Sequence, residues 1–365
     1  GGTVVCSHYL GCKRQDHAKE AARQLIFITF CLSALIGIIC FLFNGQILGL
    51  IFGEVEENVM TNAKQYFFFS AISYPFIALY DDGSCILRAQ ENSSLPMKIS
   101  ICSNIVNAVL NIWFVWGLHF GVAGSACATM LARLFAMFVV MYKLRKPDLE
   151  IPVYDYFTIR PQWKEIRRIL NIGIPSGIEN SMFQFGKLAI QSTVSTLGTT
   201  AIAAQAMTNM LEMLNGTAVI GVGIGLMTVV GQSLGAGRKD EAVYYMKKLM
   251  IFSEVFLIAC CAVVYVLARP ITMIGGMEAK SAEMCLDMMF WITIVKPIVW
   301  MFAFIPAYGM RAAGDVKFSM ITSCITMWTF RFCLCVYLIR VCGMGPMAVW
   351  IGMFTDWSVR AIVFG

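Results

Sequence analysis

Long runs of apolar residues follow one another along the chain, separated by short polar stretches. A helix that crosses the hydrocarbon of a membrane needs about 20 such residues. Ten runs approach or exceed that length, and they predict spans at residues 24–43, 66–87, 97–116, 122–142, 169–196, 203–234, 248–267, 287–308, 318–340 and 347–364. The pattern predicts an all-α integral membrane protein, with the end of one further helix before residue 11.

The connecting loops alternate between loops that are rich in basic residues and loops that are poor in them. Loops on one predicted side hold 19 Lys and Arg, whereas those on the other side hold 4. Cytoplasmic loops carry the excess of Lys and Arg, so this asymmetry supports both the helix count and a cytoplasmic position for the rich loops. We therefore expect a multi-pass protein of the cell inner (plasma) membrane.

Composition narrows the function class. The chain is 58% hydrophobic and 14% charged, which is too apolar for a soluble domain. The net charge of +6 lies in loops beside apolar runs, so it points to the lipid bilayer as the partner and not to nucleic acid. The 14 cysteines are scattered, many inside apolar runs, and show no metal-ligand spacing, so no metal site is predicted.

A short motif occurs twice. The stretch 229–242 ends an apolar helix with a glycine break and a charged turn, and a weaker copy at 5–18 opens the chain. The matched pairs are Leu10 with Leu234, Gly11 with Gly235, Arg14 with Arg238, Asp16 with Asp240 and Ala18 with Ala242. A second echo, Arg88-Ala89 and Arg311-Ala312, has nearly the same offset. Duplication of this kind is common in secondary transporters.

The repeat predicts the domain organisation. An even number of spans separates the two copies, so we expect two parallel, pseudo-symmetric six-helix bundles related by an axis along the membrane normal, with a cleft between them. The predicted parts are an N-terminal lobe at 1–145, a cytoplasmic linker at 146–168 and a C-terminal lobe at 169–365. The second motif follows a long helical stretch that begins near Gln162, whereas the first copy opens the chain. The first bundle is therefore expected to lack about two helices, as in an N-terminally truncated chain.

Polar side chains are concentrated in two consecutive spans. One face of the predicted span at 169–196 carries Asn180, Gln184, Lys187 and Gln191. The next span, at 203–234, carries Gln205, Asn209 and Glu212. Their spacings of three and four place each set on one helix face, which predicts the lining of a wet cavity. The pattern leaves open whether the amides bind ligand or fasten helix to helix.

Several charged residues lie inside the predicted spans, and each one is expected to have a specific partner or function. Charge inside a bilayer is costly, so each charged residue needs a partner or a cavity. We expect Glu212 to pair with Lys187, and Glu179 to be a free acid and the candidate site for the coupling cation. Lys296 is expected to reach toward water, although it lies deep in its span.

The first half contains Asp81 and Asp82 in one span, with Arg88 at its end. The two aspartates are candidate cavity residues, and Asp82 is expected to pair with Arg88 or to be solvated. Further along, Arg133 and the Asp356–Arg360 spacing indicate structural ion pairs.

Several of these residues together resemble the multidrug and toxic compound extrusion (MATE) family. The resemblance covers nearly the whole chain and rests on Gln232-x-x-Gly235-Ala-Gly, Gly173-x-Pro175, Leu197-Gly198-x-x-Ala201-x-Ala203-Ala204, Arg311-Ala-x-Gly314-Asp315 and Gly121-x-x-Gly124. Some family members carry the coupling acid about two turns after the proline, whereas Glu179 follows Pro175 by one turn.

The resemblance implies a secondary active transporter and not an enzyme. It would export amphipathic or cationic drugs and toxic compounds by proton or sodium antiport, with H⁺ or Na⁺ as the coupling ion and no other cofactor. A monomer is expected. Two alternatives remain open: a lipid-linked oligosaccharide flippase of the same superfamily and, with less support, a membrane-embedded enzyme, for which the sequence offers no catalytic constellation.

Overall fold

The computed structural model describes residues 1–52, 56–154, 156 and 159–364. Within these ranges the chain forms helices joined by short turns, with no β-strand. The predicted linker at 146–168 is described only in part. The contacts between helices divide the chain into two compact units, one of residues 2–170 and one of residues 171–365 with Gly1.

The first unit is built around one long helix that packs against two others. Its helices are α1 (Gly2–Gly11), α2 (Gln15–Leu42), α3 (Asn44–Phe52), α4 (Glu57–Ala89), α5 (Ser94–Asn111), which continues into a π-helical segment (Ile112–Gly117), and α6 (Gly121–Leu144). Helix α4 packs against both α2 and α6. Small buried residues such as Ala18, Ala21 and Ala22 let the α2 backbone approach its neighbours closely.

The described part of the linker folds back onto the first unit. The Tyr156 hydroxyl donates to the Met141 carbonyl at 2.8 Å, and burial raises the pKa of Tyr156 to about 12. The amide of Gln24 is bonded on both sides, since its nitrogen donates to the Arg160 carbonyl at 2.7 Å and its oxygen accepts from the Gln162 N–H at 3.0 Å. These bonds satisfy backbone groups that the loop would otherwise leave unpaired.

The second unit contains longer helices. They are α7 (Trp163–Val194), which begins before the unit boundary, α8 (Thr199–Gly235), α9 (Lys239–Ile274), α10 (Ala279–Ala313), α11 (Val316–Thr326), a π-helical segment (Met327–Cys333), α12 (Leu334–Arg340) and α13 (Met347–Phe364). Helix α10 packs against α8, α9 and α13, so it lies at the centre of the unit. Trp350 and Trp357 of α13 are buried in the core beside it.

Every predicted span falls on a helix, and eight of the described helical segments are long and apolar enough to cross a membrane. Helices α4 and α7 are long, at 33 and 32 residues, but do not meet that standard of apolarity. They hold the aspartates and one of the polar faces identified in the sequence. Since intramembrane polar residues mark functional sites by default, these two helices are the first candidates to contribute to a site.

Local backbone features recur at the offset of the sequence repeat. Three described residues of the first unit other than glycine have a positive φ, and each matches a positive-φ glycine at that offset: Lys13 (φ 56°) and Gly237 (75°), Glu91 (62°) and Gly314 (87°), His119 (55°) and Gly343 (67°). The corresponding helices of both units also contain a π-helical segment, although it ends the helix in the first unit and lies within the helix in the second, so its position does not follow the offset. The shared turns, each described within its own unit, support the internal repeat.

Candidate functional site

The second unit contains a cavity of about 730 Å³. Its walls come from α7, α8, α10, α13 and the helical segments between α10 and α13. Each residue of the two predicted polar faces lines it, namely Asn180, Gln184, Lys187 and Gln191 from α7 and Gln205, Asn209 and Glu212 from α8, and Glu179 borders it as well. The spacing of three and four residues placed each set on one face, and in the structure both faces line the same space.

Glu179 is not the free acid that we expected. Its Oε1 lies 2.9 Å from Nη2 of Arg311, and the Glu179 side chain is 10% exposed. Its second oxygen, Oε2, is buried and has no hydrogen-bond partner among the described residues. Arg311 also lies over the ring of Tyr308, with its guanidinium carbon 5.4 Å from the ring centre. A paired carboxylate with one open oxygen can still receive a proton or a small cation.

Glu212 pairs with Lys296 and not with Lys187, so the predicted pair was wrong. Lys296 Nζ lies 2.5 Å from Glu212 Oε1, and the lysine side chain is fully buried, so it does not reach water as expected. The ammonium group also donates to the Glu212 carbonyl and to Asn215 Oδ1. Helix α10 carries Lys296 against α8, whereas Lys187 lies on the exposed face of α7. Three acceptors around one buried cation offset its loss of water.

Some of the predicted amides fasten helices together. The indole N–H of Trp350 donates to Gln205 Oε1 at 3.1 Å, which joins α13 to α8. The Gln205 amide nitrogen is 3.4 Å from Asn209 Oδ1, so the two α8 residues form one polar group. Asn180 donates to the Ser176 carbonyl within its own helix. Gln205 is thus positioned for packing, whereas Asn180, Gln184 and Gln191 keep exposed side chains at the cavity.

A buried ion pair lies at the wall of the cavity, which Arg360 lines. Arg360 Nε lies 2.8 Å from Asp356 Oδ1, as the spacing of four residues predicted. Arg360 also donates to the hydroxyl and the carbonyl of Ser323.

Arg133 of the first unit donates to the Ser73 hydroxyl at 2.6 Å, which is a neutral partner and not the expected acid.

The two predicted aspartates of the first unit face different surroundings. Asp81 is exposed, whereas Asp82 is buried, and neither belongs to the lining of the cavity in the second unit. Among the described residues Asp82 has no salt bridge with Arg88, and its Oδ2 has no hydrogen-bond partner. Arg88 instead points Nη2 at the Cys85 sulfur, 3.5 Å away. The role of Asp81 and Asp82 as cavity residues stays a prediction.

Sequence reasoning missed the aromatic wall and one acid. Trp300 and Phe304 of α10 stack with ring centres 4.8 Å apart, and Trp357 of α13 meets Phe304 edge-on; all three line the cavity. Their spacing of four residues on α10 was the available signal. Glu254 lies within the span of α9, and its Oε2 is buried without a hydrogen-bond partner in the described part of the chain. A lone acid in an apolar run was visible in the sequence.

Apolar helices that surround a cavity lined by amides, aromatic rings and paired charges are typical of a membrane transporter. The model of the MatE family matches residues 1–113 and 175–337. The chain therefore belongs to the MatE family, as the resemblance predicted. Because the members it matches are transporters, the alternative of a membrane-embedded enzyme is excluded.

Curated relatives agree over nearly the whole chain. It is 22% identical over 374 residues to the probable multidrug resistance protein NorM of Thermotoga maritima, across 99% of this chain and 78% of that protein. It is 26% identical over 377 residues to the uncharacterized transporter YisQ of Bacillus subtilis, across 100% of this chain and 80% of that protein.

Solved structures share the fold. An outward-facing multidrug resistance MATE family transporter of the MOP superfamily superposes with a TM-score of 0.91 at 18% identity, over 100% of this chain and 81% of that one. A MOP superfamily transporter from Pyrococcus furiosus, described as having a binding pocket of reverse polarity, gives 0.91 at 17% identity, over 100% of this chain and 80% of that one. At these identities the similarity establishes the fold.

Proposed function

We propose that this protein is a secondary active transporter that exports amphipathic small molecules, among them drugs and toxic compounds, in exchange for protons or sodium ions. The observation that carries the proposal is the cavity of the second unit. A volume of about 730 Å³ suits a drug-sized ligand. Its wall combines aromatic rings with amides and charges, which is the lining that an amphipathic molecule requires.

The proposed coupling site is the pair of Glu179 and Arg311. A proton or Na⁺ that binds the carboxylate competes with Arg311 for the same negative charge. Because Glu179 Oε2 is buried with no hydrogen-bond partner among the described residues, it offers an acceptor that the salt bridge does not use. Cation binding would weaken the contact between α7 and α10 and so favour a different packing of these helices. A ligand shifts such an equilibrium only by its preference for one state.

The proposal includes the architecture and location inferred from the sequence. The protein would be a monomer in the cell inner membrane, built from two parallel, pseudo-symmetric bundles of which the first is expected to lack about two of its six helices. The recurring left-handed turns support the duplication. The asymmetry of 19 against 4 basic residues supports the orientation.

Relatives favour drug export over lipid flipping. Several are named probable multidrug resistance proteins, including one from Bacillus subtilis that is 23% identical over 371 residues. A lipid-linked oligosaccharide would need room for many sugar rings, and the cavity volume favours a smaller molecule. The flippase alternative predicts transfer of lipid-linked sugar between leaflets and no gradient-driven export of dyes.

The test is transport by purified protein in sealed liposomes. Dye movement is recorded with an imposed pH gradient, with an imposed Na⁺ gradient, and with each gradient collapsed by an ionophore. The proposal expects movement against a dye gradient only while one of the two ion gradients is present. Movement that is equal with and without ion gradients, or the absence of movement for every dye tested, would overturn it.

A further inference from the structure

The charges around the cavity do not balance. Three cations each hold a carboxylate: Arg311 with Glu179, Lys296 with Glu212, and Arg360 with Asp356. The cavity wall contains two more cations, Lys187 and Arg331. Among the described residues, no carboxylate oxygen lies within salt-bridge distance of either one.

Arg331 is the more unusual of the two. It lies in the π-helical segment Met327–Cys333, is 4% exposed, and its Nε and Nη1 have no hydrogen-bond partner in the described part of the chain. Asp356 and Glu212 attract it electrostatically, but each already holds another cation. A buried guanidinium with open donors is costly unless something compensates for the lost water. π-Helical segments occur frequently at functional sites.

One aromatic ring connects the two cations. The guanidinium carbon of Arg331 is 4.9 Å from the ring centre of Phe183, and Lys187 Nζ is 5.0 Å from the same centre. The ring attracts both cations but cannot neutralise them, since a cation–π contact leaves the net charge in place. A surplus of two positive charges therefore surrounds one apolar surface that faces the cavity.

We propose that this cluster of Arg331, Lys187 and Phe183 is a subsite for the anionic group of the exported molecule. The ligand class is a small amphipathic compound that carries a carboxylate, sulfonate or phosphate, either as an anion or as a zwitterion. Its charged group accepts hydrogen bonds from the guanidinium of Arg331, which lines the cavity, and is attracted by Lys187, while its apolar part contacts Phe183 and the wall of Trp300 and Phe304. Planar guanidinium donors match such anions well. The inference rests on the proposed export function and specifies its substrate.

Two probes with one ring system and opposite charges test the subsite. Naphthalene-2-sulfonate and 2-naphthyltrimethylammonium are titrated into the purified, detergent-solubilised full chain, and binding is followed by calorimetry. We expect the sulfonate to bind at least about tenfold more tightly than the ammonium probe. Arg331→Gln is expected to weaken sulfonate binding by about ten- to a hundredfold and to leave the ammonium affinity unchanged or improved.

Controls separate the subsite from general effects of charge or folding. Arg340→Gln removes an exposed arginine from the adjacent helix α12 and should leave both affinities unchanged. Lys187→Gln changes an exposed side chain, so it tests the subsite even if Arg331→Gln does not fold; it should weaken the sulfonate alone. Equal or tighter binding of the ammonium probe, or equal losses in Arg340→Gln and Lys187→Gln, would overturn the inference. Tighter binding of dodecyl phosphate than of naphthalene-2-sulfonate in the same calorimetric assay, with competition between the two, would overturn the small-molecule assignment in favour of a lipid phosphate.

Liposome transport distinguishes this inference from the function on which it rests. Gradient-driven export of the ammonium probe without export of the sulfonate keeps the transporter and overturns the anionic subsite. Sulfonate binding that depends on Arg331, in liposomes that export neither probe under any gradient, keeps the subsite and overturns the proposed function. Gradient-driven export of the sulfonate that is lost in Lys187→Gln supports both.

Discussion

Arg311 at the end of α10 reaches Glu179 on α7, with Nη2 and Oε1 2.9 Å apart. One of the acid's two oxygens is bound by this arginine, and the other is buried with no hydrogen-bond partner among the described residues. The contact joins two helices of the cavity wall at an ionisable group. We therefore propose this contact as the place where a proton or a sodium ion acts on the packing of the two helices.

Glu179→Gln is predicted to reduce gradient-driven export by at least about tenfold, because the amide can neither bind the coupling cation nor hold Arg311 by charge. The measurement is dye export from liposomes under imposed pH and Na⁺ gradients. Glu283→Gln provides a matched control, since Glu283 is an exposed carboxylate on α10. Export by Glu179→Gln at the rate of the control would show that this acid does not couple.

The buried pair of Lys296 and Glu212 is predicted to behave as a unit. Lys296→Met leaves the Glu212 carboxylate without its cation, and Glu212→Gln leaves a fully buried ammonium, so each change should cost about 3–5 kcal/mol. The double variant should cost less than the sum of the two, because no charge is then left unpaired. Unfolding of the protein in mixed micelles by added denaturing detergent measures these differences.

Lys280→Gln controls for loss of a lysine from α10. Lys280 is exposed near the start of the helix, so its change should stay within about 0.5 kcal/mol. Additive costs for Lys296→Met and Glu212→Gln would contradict the pairing.

The repeated left-handed turn predicts opposite effects in the two units. Glu91 has a φ of 62° at the end of α4 and is exposed, and Gly314 has a φ of 87° at the end of α10. Left-handed conformation costs a residue with a Cβ about 1–2 kcal/mol, so Glu91→Gly should stabilise the protein and Gly314→Ala should destabilise it by amounts of this order. Thermal unfolding in detergent distinguishes the two directions.

Gly221→Ala is the control for the glycine change. Gly221 lies inside α8 with open space where a Cβ would stand, and alanine favours a helix, so stability should not fall. A stabilising Gly314→Ala would refute the argument from backbone strain.

Close approach of two backbones at Gly352 is predicted to hold Arg331 in position. A Cβ added at Gly352 would lie 2.9 Å from the Arg331 carbonyl oxygen, which cannot move without shifting its helical segment. Gly352→Ala should therefore cost about 1–3 kcal/mol of stability and weaken binding of naphthalene-2-sulfonate. Gly225→Ala on α8, where a Cβ would meet open space, should lower neither the stability nor the affinity for naphthalene-2-sulfonate. Unchanged sulfonate affinity in Gly352→Ala would show that the packing at Gly352 does not position Arg331 for binding.

Most of the helices could be predicted from the lengths of the apolar runs in the sequence. Each predicted span lies on a helix because about 20 consecutive apolar residues leave the chain few other ways to satisfy its backbone in lipid. The polar face of α7 was predicted for a similar reason, since Asn180, Gln184 and Lys187 recur at the period of the helix and so share a side. Helix α4 was harder to judge by apolarity, because Asp81 and Asp82 interrupt its span.

The sequence by itself determined the helices, their membrane character, the repeat and the residues that share each polar face, because these depend on neighbours within one helix or on the bilayer. Only the tertiary structure decided the partner of each charge that pairs between two helices. Glu212 meets Lys296 instead of Lys187, and Glu179 meets Arg311 instead of remaining free. Periodicity fixes the direction of a side chain around its own helix axis, whereas an ion pair forms across a distance of a few ångströms that depends on how two separate helices pack.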